Sequence, residues 1–358
     1  MRLLALLSDG FGAPGGIARF NEGFLRALAA SSTVSAITAL PRFGNARMRQ
    51  IPEKVVQLEP RGQRLDYVIR AAALGLSGGR YNAVFCGHLY TAPLAASIAW
   101  AMRVPLWVQV HGIEAWARPS GPVRAAVERA SLVTAVSRYT RLRLLDWADI
   151  EPSSAKVLSG TVEARFVPGP KPEQLIARHG LGGRKIILTI SRLAATERYK
   201  GHDRVIRSLP KVLDSIPSAI YVVVGEGDDR ARLEALAGSA GVAAAVRFLG
   251  PAREEELPEL FRMADVFVMP STGEGFGIVF LEAVAAGIPV IAGNRDGSVD
   301  ALAEGALGTL VDPDDEGSLV RAIIASLTGR PPPDRATDRR FSFDNFCRQV
   351  DALVQHLR

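Results

Sequence analysis

Short apolar runs rich in β-branched residues, each closed by Gly, Pro, Ser or Asp, recur along the whole of this 358-residue chain and alternate with amphipathic stretches. That rhythm constrains the fold strongly. A strand buried on both faces of a parallel sheet reads as a continuous apolar run, and its crossover helix must turn an apolar stripe toward it. An α/β fold built of βα units is therefore expected. In the first half the strand candidates are 3–7 (LLALL), 34–40 (VSAITAL), 83–87 (AVFCG), 105–110 (PLWVQV), 132–136 (LVTAV) and 156–158 (KVL). In the second half they are 185–190 (KIILTI), 219–225 (AIYVVVG), 246–250 (VRFLG), 266–270 (VFVMP), 288–293 (IPVIAG) and 309–311 (TLV), with helices over 202–214, 229–238 and 277–286.

A chain of this length exceeds what one compact core usually holds, so two domains with a cleft are expected. The segment 167–174 (VPGPKPEQ), with three prolines and a glycine, suits an extended connection between residues 1–166 and 175–335. A second break, 329–338 (GRPPPDRATD), precedes a C-terminal stretch, 336–358, in which Phe343, Phe346, Val350, Leu353 and Leu357 fall at helical spacing, the pattern of a helix docked on a neighbour.

The hydrophobic fraction of 48% and the charged fraction of 22% are those of an ordinary globular protein. The opening MRLLALLSDG is too short in apolar residues for a signal peptide, and no later apolar run reaches the roughly 18 residues of a membrane span. A cytoplasmic protein, soluble or peripheral on the inner face of the plasma membrane, is expected. Cys86 and Cys347 stand far apart without metal-type spacing, which argues against a disulfide framework or a zinc site and fits a reducing compartment. Residues 1–165 carry 20 Lys and Arg against 11 Asp and Glu, whereas the remainder carries 23 against 26. A basic first half could meet anionic lipid, a phosphate-bearing acceptor or nucleic acid. With neither a zinc finger, a basic zipper nor an RNA-binding aromatic motif, and with the basic residues spread, no nucleic-acid partner is expected, and a membrane surface is the better use of that charge.

The most specific segment is Ser271-Thr-Gly-Glu274-Gly275-Phe276-Gly277-Ile278-Val-Phe-Leu-Glu282, directly after a strand and running into a helix. A Gly-rich turn at the carboxyl end of a parallel strand admits a ligand to the backbone, and the N–H groups from Gly275 to Ile278 favour a phosphate at the helix start. Glu274 could accept hydrogen bonds from sugar hydroxyls. Glu282, among the apolar Phe280, Leu281, Ala283 and Val284, could grip vicinal ribose hydroxyls rather than belong to a solvated face. A second segment, Ser191-Arg192-Leu-Ala-Ala-Thr-Glu-Arg-Tyr-Lys200-Gly201-His202, also follows a strand. It offers a planar guanidinium fork and a mobile point charge to a diphosphate leaving group. Solvated side chains are the plainer reading of both cations, and their place at a strand's carboxyl end argues against it.

The turn Asp9-Gly10-Phe-Gly12-Ala-Pro-Gly15-Gly16 permits close backbone approach but lacks G-x-G-x-x-G spacing, and no acidic residue ends the second strand, so a nicotinamide cofactor is weakly supported. His111, in Trp107-Val-Gln-Val-His111-Gly112-Ile-Glu114, ends a strand and could bond a sugar hydroxyl or assist at the reaction centre; His88 has the same context with weaker support. Asp228-Asp229 reads as a helix N-cap, and Asp312-Pro-Asp314-Asp315 as a loop and cap; neither reads as a metal site. Neither a G-x-S-x-G elbow nor a GxxxxGK[ST] loop is present.

Through Glu274-Gly-Phe-Gly…Glu282, Ser191-Arg192-Leu with Lys200-Gly201, Val224-Gly225-Glu226-Gly227-Asp228 and the Gly15-Gly16 turn, the chain resembles glycosyltransferase family 4 over essentially its whole length. These are retaining enzymes of the GT-B fold, in which two Rossmann-like domains face a cleft. The resemblance implies that Arg192 and Lys200 hold the diphosphate and Glu282 the ribose, with Glu274 and the Phe276-Gly277 backbone on the donor sugar. Gly15, Gly16, Gly225, Gly250, Gly275 and Ile278 join the donor site, His111 faces the sugar from the other domain, and the last helix crosses back to the first domain. It implies no metal and no other cofactor, and attack on the front face with the departing phosphate as base. The donor would be GDP-mannose, or next UDP-glucose, and the acceptor an oligosaccharide, such as a lipid-linked one in bacterial polysaccharide synthesis. One departure is visible: the loop between Arg192 and Lys200 is longer than the commonest arrangement. The other readings are a GT-B-like sugar-nucleotide epimerase or phosphorylase, and a nucleotide-sugar-binding protein without turnover. An epimerase needs acid and base carboxylates, and a phosphorylase of the pyridoxal-phosphate type needs a Schiff-base lysine.

Overall fold

The computed structural model describes residues 1–45, 50–76, 81–329 and 339–357, and divides into two compact units, Met1–Thr161 with Arg339–Arg358 and Val162–Asp338. The first unit is built on strands β1 (Arg2–Asp9), β2 (Ala36–Phe43), β3 (Val55–Gln57), β4 (Ala83–Cys86), β5 (Leu106–Val110), β6 (Leu132–Ala135) and β7 (Ala155–Val157). All pair in parallel, in the order β3-β2-β1-β4-β5-β6-β7. The second unit contains β8 (Lys185–Ile190), β9 (Ala219–Val224), β10 (Val246–Gly250), β11 (Val266–Met269), β12 (Val290–Gly293) and β13 (Thr309–Val311), parallel in the order β10-β9-β8-β11-β12-β13. Each sheet runs outward from its first strand, then returns to that strand's other side. The doubly wound order therefore has a switch point between β1 and β4 in one unit and between β8 and β11 in the other.

The continuous apolar runs are strands because both faces are covered: Leu3 to Leu7, Ile186 to Leu188 and Val266 to Met269 are essentially inaccessible. Every strand expected from the sequence is present, with ends moved by at most three residues. Strand β3 was not anticipated; it is a three-residue edge in which Val56 points outward, so no continuous apolar run marks it. The proline-rich segment is irregular only to Pro172. The helix Glu173–Arg178 starts inside the expected linker, with proline at its N-cap and a glutamate in its first turn, where the helix dipole favours negative charge. The second expected break falls, apart from Gly329, on 330–338, outside the described residues.

The helix Phe343–His356 belongs to the first unit. Its Phe346 meets Phe20 of the helix Gly16–Ala30 edge-on at 6.0 Å, and Ser31 Oγ donates to Asp351 Oδ1 at 2.5 Å. Thr161 Oγ1 donates to Phe341 O at 2.8 Å, tying the end of the first chain segment to the returning one.

Candidate functional site

In the second unit the residues leaving β8 and β11, on either side of the switch point, form one assembly. After β8 come Ser191, Arg192 and the turn Ala195–Lys200; after β11 come Pro270 and the loop to Glu274. Thr272 N–H donates to the Tyr199 carbonyl at 2.9 Å, and Gly273 lies flat on the Tyr199 ring, where a Cβ would come within 2.5 Å of it. The two loops are thus fastened together, and Lys200 Nζ stands 3.9 Å from Glu274 Oε1. Burial raises the Glu274 carboxyl above its ordinary pKa, while Lys200 pulls it back.

Both cations also meet a carboxylate that sequence reasoning passed over. Glu197 Oε1 contacts Arg192 Nη2 directly, and Glu197 Oε2 lies 2.9 Å from Lys200 Nζ. Arg192 is otherwise open to solvent, its side chain 75% exposed, whereas the Lys200 side chain is 11% exposed.

Asp296, in the loop after β12, holds the Glu274 turn from beneath. Its Oδ2 accepts from Ser271 Oγ and from Glu274 N–H, each at 2.7 Å, and its Oδ1 from Ser298 N–H at 2.9 Å. Gly297 N–H donates to the Glu274 carbonyl at 2.8 Å, so Glu274 is fixed through both its backbone groups. Helix Ile278–Ala285 follows, carrying Glu282 inward with 2% exposure beside the buried Phe280, Leu281, Ala283 and Val284. Gly277 sits at its N-cap with φ 85°, and Phe276 is buried.

Beneath Arg192 runs a buried chain of hydrogen bonds. Tyr221 OH donates to Thr189 Oγ1 at 2.9 Å, and Thr189 Oγ1 donates to the Val268 carbonyl of β11. His202 therefore donates from Nδ1 to Tyr221 OH at 2.9 Å and accepts at Nε2 from Ser191 Oγ at 2.8 Å. Burial lowers the His202 pKa to about 4, which keeps the ring neutral and this pattern intact at pH 7. Gly225 closes the same end of the sheet: its N–H donates to the Gly250 carbonyl at 2.7 Å, its φ is 138°, and a Cβ there would lie 1.8 Å from Ser191 O. Gly250 faces open space.

Asp229, expected to cap the helix Arg230–Ser239, makes no such bond. Arg198 and Arg232 claim its carboxylate, at 3.0 and 2.6 Å, while Asp228 accepts from Ala195 N–H at 2.7 Å and steadies the Arg192 loop. Asp315 does cap, accepting from Ser318 N–H at 3.1 Å, and Asp312 with Asp314 binds Arg295. Among the described residues, no group of three or more His, Cys, Asp or Glu has the arrangement of a metal site.

In the first unit, His88 follows β4 and His111 follows β5, beside that unit's switch point. Their rings lie 6.1 Å apart. Desolvation lowers the His111 pKa to about 4, with Glu114 opposing, and His88 is lowered for the same reason. A neutral His111 that donates from Nε2 to the Gly87 carbonyl at 2.9 Å keeps Nδ1 as an acceptor. Glu114 accepts from His111 N–H at 2.5 Å, which fixes the turn. Gly15 and Gly16 open the helix Gly16–Ala30 and face open space, while Gln57 of β3 accepts from Phe11 N–H at 2.7 Å and Glu22 accepts from Gly12 N–H at 3.0 Å.

Two family models match the chain: Glycosyltransferase Family 4 over residues 14–165 and Glycosyl transferases group 1 over 172–341. The chain is 35% identical, over 249 residues, to a GDP-mannose-dependent alpha-(1-6)-phosphatidylinositol monomannoside mannosyltransferase of Mycolicibacterium smegmatis, covering 65% of this chain and 64% of that one. To a D-inositol 3-phosphate glycosyltransferase of Geodermatophilus obscurus it is 32% identical over 307 residues, 77% of this chain and 66% of the relative. The match thus spans just under two thirds of each of these relatives. Among solved structures, the Anabaena protein HepE in complex with UDP and glucose superposes with a TM-score of 0.79 over 99% of both chains at 20% identity, which shows the fold, GT-B. The chain belongs to glycosyltransferase family 4, the group 1 glycosyltransferases.

Proposed function

We propose that the protein transfers a hexosyl group, with retention, from a nucleotide diphospho-sugar to a sugar acceptor. The observation that carries this is the assembly at the β8/β11 switch point, where a guanidinium, an ammonium and a turn-borne carboxylate converge and the helix that follows the turn carries a buried glutamate. Arg192 and Lys200 are the cations for the diphosphate, and they supply the stabilisation of the leaving group without a metal. Glu282 is assigned to the ribose hydroxyls; Glu274, with the Phe276-Gly277 backbone, is assigned to the donor sugar. His111 Nδ1 is assigned to accept a hydrogen bond from a hydroxyl of the donor sugar, without taking its proton. In the transfer, the bond from the anomeric carbon to the diphosphate oxygen breaks, the acceptor oxygen bonds that carbon on the same face, and the acceptor proton passes to the departing diphosphate. The mannosyltransferase relative favours GDP-mannose as donor, with UDP-glucose as the next choice.

The proposed acceptor is an oligosaccharide carried on a lipid at the inner face of a bacterial membrane. An exposed apolar stripe supports this. On the helix Arg64–Leu76, Tyr67 and Ala71 face the core, whereas Leu65, Val68, Ile69 and Leu76 share the opposite face and are exposed. Arg64 and Arg70 lie on the same helix, while Arg61 is paired with its Asp66 at 3.2 Å, and an anionic lipid surface is the partner proposed for this face. No helix among the described residues is long and apolar enough to cross a membrane. Sedimentation with anionic liposomes at low salt, lost in Leu65→Asp/Ile69→Asp, is the expected result; no sedimentation removes the membrane from the proposal.

The donor reading is tested by thermal shift with UDP, GDP, ADP and dTDP, since a ligand at 100 times its Kd adds about 2.7 kcal/mol. Stabilisation by one nucleotide, lost in Glu282→Ala and Arg192→Ala, supports it. Release of that nucleotide from its sugar conjugate only when acceptor is present separates transfer from epimerisation or simple binding. The absence of a shift with all four overturns it.

A further inference from the structure

The loop between Arg192 and Lys200 carries its own anion. Glu197 places one carboxylate oxygen on each cation, and its side chain, like that of Lys200, is only 11% exposed. A carboxylate set between a guanidinium and an ammonium neutralises the same two cations that two oxygens of a diphosphate would. Glu274 stands on the other side of Lys200, at 3.9 Å, so the ammonium already faces two carboxylates before any ligand arrives. Glu197 lies in the turn Ala195–Lys200, in the stretch of chain that joins the two cations, and this places its carboxylate against both.

We propose that Glu197 is a resident counter-anion that the donor's diphosphate must displace, so that the site selects a diphosphate attached to a nucleoside over free phosphate or pyrophosphate. This rests on the donor-site reading above. A free anion offers Arg192 and Lys200 nothing that Glu197 does not already offer at the high effective concentration of a residue in the same loop. A nucleoside diphosphate brings further contacts, at Glu282 in the reading above, that drive the exchange. When the sugar has left, Glu197 returns to the cations and expels the product.

Calorimetric titration of the full chain with GDP, UDP and pyrophosphate tests this on the parent, Glu197→Gln and Glu197→Asp. Glu197→Gln keeps the shape and removes the charge; it is expected to tighten whichever nucleoside diphosphate binds by about tenfold or more, the scale of one like charge removed from a partly screened anion site. Pyrophosphate, weak or silent on the parent, should gain at least as much. Glu197→Asp keeps the charge but shortens the reach, and should tighten binding by a smaller factor. Thermal melts without ligand establish that each variant is folded. A parent that binds nucleotide and variants that bind it equally or more weakly overturn the proposal and make Glu197 a supporting part of the donor site. A parent that binds none of the nucleotides overturns the donor-site reading itself, and this proposal with it.

Discussion

Asp296→Asn removes one charge and one acceptor from a carboxylate that is 1% exposed, and the structure sets what that costs. Oδ2 serves Ser271 Oγ and Glu274 N–H, and Oδ1 serves Ser298 N–H. An asparagine has one amide oxygen. Whichever way it turns, its NH2 faces one of the two backbone N–H groups, donor against donor, in a site from which water is excluded. The hydroxyl of Ser271 can rotate to accept, but a backbone N–H cannot. A hydrogen bond to a charged group contributes about 1.5–3 kcal/mol, and a buried donor left unpaired costs about 1–3 kcal/mol. Because both refer to the same contact, the expected loss is about 2–4 kcal/mol, a large share of the roughly 5–15 kcal/mol that holds a domain folded. Urea denaturation reads it as a shift in midpoint at unchanged slope. With Glu274 in the donor-sugar role proposed above, loss of the anchor on its N–H should misplace that sugar by a fraction of an ångström or more, and kcat/KM for transfer should fall about 100-fold. Ser271→Ala, which deletes one neutral donor and leaves both backbone bonds, should cost about 1 kcal/mol. If Asp296→Asn unfolds within about 0.5 kcal/mol of the parent and turns over normally, the turn is held by something other than this carboxylate.

Two further outcomes follow from the same end of the sheet. Gly225→Ala puts a Cβ 1.8 Å from Ser191 O at a φ of 138°, so the Arg192 loop must shift; we expect a loss of more than about 2 kcal/mol by urea denaturation and weaker nucleotide binding, whereas Gly250→Ala, facing open space, should pay only the cost of its own positive φ, about 1 kcal/mol. His202 carries a pKa of about 4 in the folded chain against about 6.5 unfolded, so the unfolded state binds the extra proton between those values. Its contribution is complete above pH 6.5 and is lost as pH falls toward 4, by up to about 3 kcal/mol. His202→Gln should flatten that part of the stability-against-pH curve, and an unchanged slope would refute the assignment.

What could be read from the sequence followed what is local in the chain. Strands β1, β8 and β11 declared themselves because both their faces are buried and every residue in the run must be apolar. The Glu274 to Glu282 segment drew attention for the opposite reason: charged residues and glycines directly after such a strand break the apolar pattern, and the structure gives the turn's glycines their packing, Gly273 against Tyr199 and Gly277 against Phe280. β3 escaped, since an edge strand of three residues with Val56 in solvent carries neither pattern. Asp296 escaped because its meaning lies 22 residues away, at the N–H of Glu274; alone, Asn-Arg-Asp-Gly-Ser is a turn. Glu197 is the instructive intermediate. Its loop stands out in the sequence as long, which by itself reads as added distance between Arg192 and Lys200. The geometry turns that around. Lys200 lies between Glu197 and Glu274, within 2.9 Å of the first and 3.9 Å of the second, so what stands against an incoming phosphate is a carboxylate to be exchanged. A loop insertion can therefore alter a site by adding a competing charge rather than by adding distance. Substituting Glu197 distinguishes the two, because lost reach would leave Glu197→Gln no tighter than the parent.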